Sequence, residues 1–95
     1  MRVRYTATAF SELKEIQAYI AKDNFLVAQA VVVRIEQIVE RIRAFPEIAA
    51  PIDAAGVRVF PVPPFPFLIF YELGENFVVI RNIRHASRDR DRFLA

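Results

Sequence analysis

The sequence predicts an α+β domain in the order β-α-α-β-β-β, a helical hairpin packed on a small, mainly antiparallel sheet. Two segments with apolar residues at three- and four-residue steps, residues 10–20 and 28–45, predict the hairpin. Two others, FLIFYEL and FVVIRNI, are rich in β-branched and aromatic residues and separated only by GEN, which predicts the centre of the sheet. A chain of 95 residues supports one domain, residues 1–95, with a single core. A domain of that size buries about 60–65 % of its unfolded surface.

RVRYT, residues 2–6, alternates charged with apolar or aromatic side chains, the period of a short strand with one wet face. From Phe10 the period changes. Phe10, Leu13, Ile16, Tyr19 and Ile20 share a helical face, and Thr8 is a candidate N-cap. KDN interrupts the pattern, and Asn24 can cap a second, longer helix. Its stripe runs through Ala28, Val31, Ile35, Ile38, Ile42 and Phe45, widened by Val32 and Val39, and Pro46 ends it. The short connection makes the two helices antiparallel neighbours.

Residues 46–56 read as a loop closed by a glycine, followed by a short strand in VRVFPV. Four prolines in PVPPFP cannot donate ladder hydrogen bonds, so a polyproline-like connection is expected there. A three-residue loop in the last hairpin would put Leu68, Phe70, Val78 and Ile80 under the helices. Ile69, Tyr71, Val79 and Arg81 would then lie on the partly exposed face.

Composition narrows the chemistry. The net charge is +2, yet 11 of the 13 basic residues are arginine and five fall between Arg81 and Arg92. Such a cluster suits an acidic protein or a nucleic acid, unless it pairs internally with Asp89 and Asp91. With no cysteine and one histidine, disulfides, thiolate catalysis and a zinc site find no residues; no metal or other cofactor is expected. No window approaches the roughly 18 uncharged apolar residues of a membrane span, and a cytoplasmic protein is expected. There is no glycine-rich phosphate loop, no carboxylate pair placed for metal chemistry and no serine on a nucleophile elbow.

His85 is the one side chain whose ordinary pKa suits proton transfer near neutrality, and it follows the last strand near Arg84 and Arg88. It can equally anchor the C-terminal segment by bonding the backbone. Arg58, Arg81 and Arg88 could converge at one sheet edge to hold a phosphate or carboxylate, or lie as separate surface arginines over apolar neighbours. Tyr71 could donate to a ligand or serve only in packing.

With those pieces in order, the chain resembles the RelE/ParE superfamily of small toxins from bacterial type II toxin-antitoxin systems. The residues that carry the likeness are YTATAFSELKEIQAYI, RIRAFPEIAAP, VRVFP, FPFLIFYEL and VVIRNIRHASRD. FPFLIFYEL followed by the H-x-x-R-D ending, His85 to Asp89, is similar to the ParE-like, plasmid-stabilisation branch. The resemblance implies a toxin neutralised by a cognate antitoxin, usually of the ribbon-helix-helix type, whose C-terminal segment docks on the helical hairpin and against the sheet. Val31, Ile35, Ile38, Val39 and Ile42 are the antitoxin-binding candidates.

The likeness also implies one of two activities. ParE-like members poison DNA gyrase by binding it; RelE-like members cut messenger RNA on the ribosome with basic residues of the sheet and C-terminus. Here Leu68 follows Phe67 where the nuclease branch commonly has an arginine, and Ala86 stands where another basic residue would help. One such missing charge costs about 3 kcal/mol in a transition state, roughly a hundredfold in rate. The gyrase reading leads, with Arg58, Tyr71, Arg81, Arg84, His85 and Arg88 as target-binding candidates. The ribonuclease alternative would use His85, Arg58, Arg81 and Arg88 as catalytic groups.

Overall fold

The fold was analysed in a computed structural model that describes residues 1–88. Arg2–Tyr5 form β1, Ala7–Ala21 α1, Phe25–Ala44 α2, Arg58–Pro61 β2, Phe67–Leu73 β3 and Phe77–His85 β4, and a single 3-10 turn spans Ala86–Arg88. The four strands make one sheet in the order β1-β4-β3-β2. β2–β3 and β3–β4 are antiparallel, whereas β1 lies parallel to β4 because the helical hairpin carries the chain across the sheet between them.

Local chemistry explains the helix ends. Thr6 rather than Thr8 caps α1: its backbone is extended and its hydroxyl oxygen accepts from the Ala9 N–H at 3.0 Å. That hydroxyl also donates to the Arg81 carbonyl at 2.8 Å, tying the start of the helix to the sheet. Asn24 caps α2 as expected, accepting from the Val27 N–H at 3.1 Å. The helix stops at Ala44, just ahead of Pro46.

The core lies between the hairpin and one face of the sheet. Val31, Ile35, Ile38, Val39 and Ile42 of α2 pack with Ile69, Tyr71, Val78, Ile80 and Ile83 of the strands. The five α2 residues are 0–6 % exposed. Their stripe is therefore spent on the chain's own sheet, which rules them out as a free docking surface for an antitoxin. On α1 Ala9 is buried and Leu13, Ile16 and Ile20 pack partly buried against the core, while Phe10 and Tyr19 from the expected face lie exposed at its two borders.

The β3–β4 register differs from the three-residue-loop expectation by one position, although the loop is three residues, Gly74 to Asn76. Tyr71 pairs with Ile80 and Leu73 with Val78, so Ile69 and Tyr71 join Val78 and Ile80 on the helix side. Leu68 and Phe70 turn away. A bulge then shifts the pairing between Phe70 and Tyr71, leaving Phe70 opposite Asn82 and Ile69 opposite Ile83. The bulge restores Ile83 to the core side after the polar run from Arg81 to Asn82, which strict alternation would not allow.

In the proline-rich connection, the polyproline-like reach gives way to a tight turn. The Phe65 N–H donates to the Val62 carbonyl at 2.9 Å, and Val62 is fully buried. Its own N–H donates to the Phe67 carbonyl, extending the β2–β3 pairing by one step. In the loop before β2, Gly56 takes φ +89°, with no atom within 4 Å of where a Cβ would sit. Gly56→Ala should then cost about 1 kcal/mol through backbone strain alone, read as a small drop in melting temperature with the fold unchanged.

Candidate functional site

β1 ends at Tyr5, but its neighbour β4 continues to His85, so the last residues of β4 have no strand on that side. α1 fills the position instead. Glu12 Oε1 accepts from the Ile83 backbone N–H and from the Asn82 side-chain amide, both at 3.1 Å. Glu12 Oε2 lies 3.4 Å from the Arg84 guanidinium. One carboxylate thereby stands in for a missing strand at the bulge. Sequence reasoning passed over Glu12, although its spacing, three residues after Ala9 and four before Ile16, places it on the border of the buried face of α1.

Beyond Glu12 the helix and the strand edge diverge around an open groove of about 980 Å³. Ile16, Tyr19 and Ile20 of α1 form one wall with Val27 at the start of α2; Phe65 to Phe67 and Ile83 to His85 form the other. Its lining is mainly apolar, with Glu12, Glu15 and Arg84 at the rim. Tyr19 is 73 % exposed and Val27 40 %. No sequence period reveals the groove, because its residues come from five separate segments.

Of the target-binding candidates, Arg84 and His85 both line the groove, whereas Arg58 and Arg81 are held by partners elsewhere. Arg58, on β2, donates to the Ala49 carbonyl of the preceding loop. Arg81 is paired with Glu72 at 2.8 Å, with about half of the Arg81 side chain exposed. Such a surface pair holds little energy and can be exchanged for a partner's carboxylate. Arg84 is drawn to Glu12 and lies 6.0 Å from the centre of the Phe70 ring. Arg88 closes the last turn with its backbone; its side chain, like Asp89 and Asp91, lies outside the described residues.

His85 is fixed by its neighbours. The Ser87 backbone N–H donates to Nδ1 at 3.2 Å, and the Ser87 hydroxyl lies 2.7 Å from the same atom. A backbone N–H can only donate, so Nδ1 is an acceptor and the proton of the neutral ring sits on Nε2. The ring stands edge-on to Phe67, with centroids 5.6 Å apart. His85 thus ties the 3-10 turn to the end of the sheet at the rim of the groove.

Tyr71 is wholly buried, not half exposed as the expected register required, and its hydroxyl donates to the Pro46 carbonyl at 2.9 Å. That removes it from the target-binding set. Burial pushes its phenol above the ordinary tyrosine range, opposed by the Ala49 backbone and the Arg58 guanidinium. Burial also raises Tyr5, helped by Glu36. A phenol whose folded pKa is raised stabilises the fold fully below about pH 10 and loses that contribution as pH climbs through the folded value. Stability should therefore fall above about pH 10. Tyr71→Phe should reduce the slope there while costing about 1 kcal/mol near neutrality for the lost hydrogen bond, both readable from urea melts across pH.

Comparison with known proteins bears on the whole chain. Residues 3–90 match the family model described as the ParE toxin of the type II toxin-antitoxin system parDE. The protein Y4kP of Sinorhizobium fredii is 33 % identical over 87 residues, covering 92 % of this chain and 90 % of its own length. Toxin RelE2 of Caulobacter vibrioides is 31 % identical over 87 residues, 92 % of this chain and 97 % of that one. Among solved structures, a chain of the chromosomal ParDE TA system from P. aeruginosa superposes with a TM-score of 0.77 at 20 % identity, covering 90 % of this chain and 95 % of that chain. At that identity the likeness concerns the fold.

Proposed function

The chain belongs to the ParE toxin family of type II toxin-antitoxin systems, and from that premise we propose that a cognate antitoxin of the ribbon-helix-helix type silences it by docking in the groove between α1 and β4. Released in the cytoplasm, it inhibits DNA gyrase by protein–protein binding, with the arginines of β4 and the turn that follows, Arg81, Arg84 and Arg88, as target contacts.

The observation that carries this reading is a contrast between two surfaces. The groove is open and apolar. Of the groups that a ribonuclease would draw together on one phosphate, Arg58 and Arg81 are instead tied to separate internal partners, the Ala49 carbonyl and Glu72. Oriented, unpaired donors aimed at one point are what phosphoryl-transfer catalysis requires. Binding a protein asks less, because exposed arginines exchange one carboxylate for another at little cost.

Purified toxin should be added to a gyrase supercoiling reaction and, separately, to translating ribosomes with labelled message. The expected result is loss of supercoiling with intact message. Arg81→Ala should weaken the inhibition. Cleaved message, with cleavage abolished in His85→Ala and supercoiling untouched, would overturn the reading.

A further inference from the structure

The face of the sheet turned away from the helices carries a row of arginines. Val3 and its partner Val78 belong to the core side, so Arg2 and Arg4 stand on the opposite face, beside Phe77 and Val79. Arg81 follows on β4, its side chain paired with Glu72, which stands opposite Val79 on that face. Past the bulge comes Arg84, 6.0 Å from the centre of the outward-turned Phe70 ring. The backbone therefore sets the four side chains along the β1–β4 seam at steps of about two residues, roughly 6.7 Å each. Glu72 and Glu12 pair with Arg81 and Arg84, and Glu75 lies in the β3–β4 turn. Arg2 and Arg4 are exposed and form no ion pair among the described residues.

A row of cations at regular steps suits the regular phosphates of a nucleic acid. The rings on the same face decide which kind. Phe77 lies under the Arg4 guanidinium, 3.9 Å from its centroid, and Phe70 is buried. A single strand is held largely by bases stacked on open rings, and neither ring is open. A duplex keeps its bases paired inside and presents ordered phosphates, which is what the row can grip. We propose that the outer face of the sheet binds the phosphate backbone of double-stranded DNA through Arg2, Arg4, Arg81 and Arg84. Phosphate contacts carry no sequence information, so the binding is independent of sequence. It goes beyond the antitoxin and gyrase readings, neither of which uses Arg2 or Arg4.

The test is fluorescence anisotropy of a labelled DNA duplex titrated with the full-length toxin at several salt concentrations. Affinity should fall with salt, with a log–log slope of roughly −3 to −4 for four phosphate contacts. Arg2→Ala combined with Arg4→Ala should make that slope shallower by about two, whereas Arg2→Lys combined with Arg4→Lys should keep it. Arg41→Ala combined with Arg43→Ala removes the same charge from the last turn of α2, on the other side of the sheet, and should leave the slope at its wild-type value. An equal fall in both alanine pairs would mean that only net charge matters and would overturn the proposal. A single strand of the same sequence bound as tightly as the duplex would overturn it too, as would the absence of binding at low salt.

Discussion

Ile35→Ala is expected to destabilise the fold by about 2–5 kcal/mol, because it empties a fully buried position between α2 and the sheet. A domain of this size has a total stability of roughly 5–14 kcal/mol, so the loss is a large fraction of the whole. In a thermal melt it should appear as a fall of roughly 10–30 °C. Val33, two residues earlier on α2 and 54 % exposed, is the control, and Val33→Ala should stay within about 0.5 kcal/mol of wild type. The pair separates two assignments of the same apolar stripe. If Ile35 served a partner surface, its truncation would weaken antitoxin binding and leave the melt unchanged.

That stripe also shows what a sequence of this kind conceals. The periodicity of α2 announces an apolar face but not what covers it, and a face wide enough for a helix groove is equally wide enough for a sheet. The sheet covers it here, since Ile35, Ile38 and Ile42 pack with Ile69, Tyr71 and Ile80. The element order, the Asn24 cap, the stop before Pro46 and the central hairpin were all legible, because each is written in local spacing or in a single side chain's capping chemistry.

What depended on long-range contact was not legible. Thr6 is the cap in place of Thr8, and its hydroxyl also reaches the Arg81 carbonyl, 75 positions away. The hairpin register turns on a bulge that returns Ile83 to the core and moves Tyr71 to the helix side. A slip of one residue exchanges the two faces, so Tyr71 left the target-binding set for a structural reason, not a chemical one. The candidate site follows the same division. His85 and the arginines stand out by residue type, yet their internal partners, Ser87, Glu72, Glu12 and Ala49, decide what they are free to do.

Val27→Asp is expected to separate binding from stability. Val27 is the third residue of α2, where its N–H already receives the Asn24 cap and where a carboxylate interacts favourably with the helix dipole. It is 40 % exposed and lines the groove without belonging to the buried core, so melting should stay close to wild type or rise slightly. An antitoxin seated in the groove would meet a carboxylate where it needs apolar contact. Losing that contact and desolvating the charge should weaken binding by about 3 kcal/mol, roughly a hundredfold. Titration calorimetry with the antitoxin, beside a thermal melt of the free toxin, measures both quantities on one variant. Unchanged affinity would place the antitoxin elsewhere. A collapse in melting temperature would instead mean that Val27 supports the helical hairpin, and that the opening between α1 and β4 is part of the fold's own packing and not a seat for another chain.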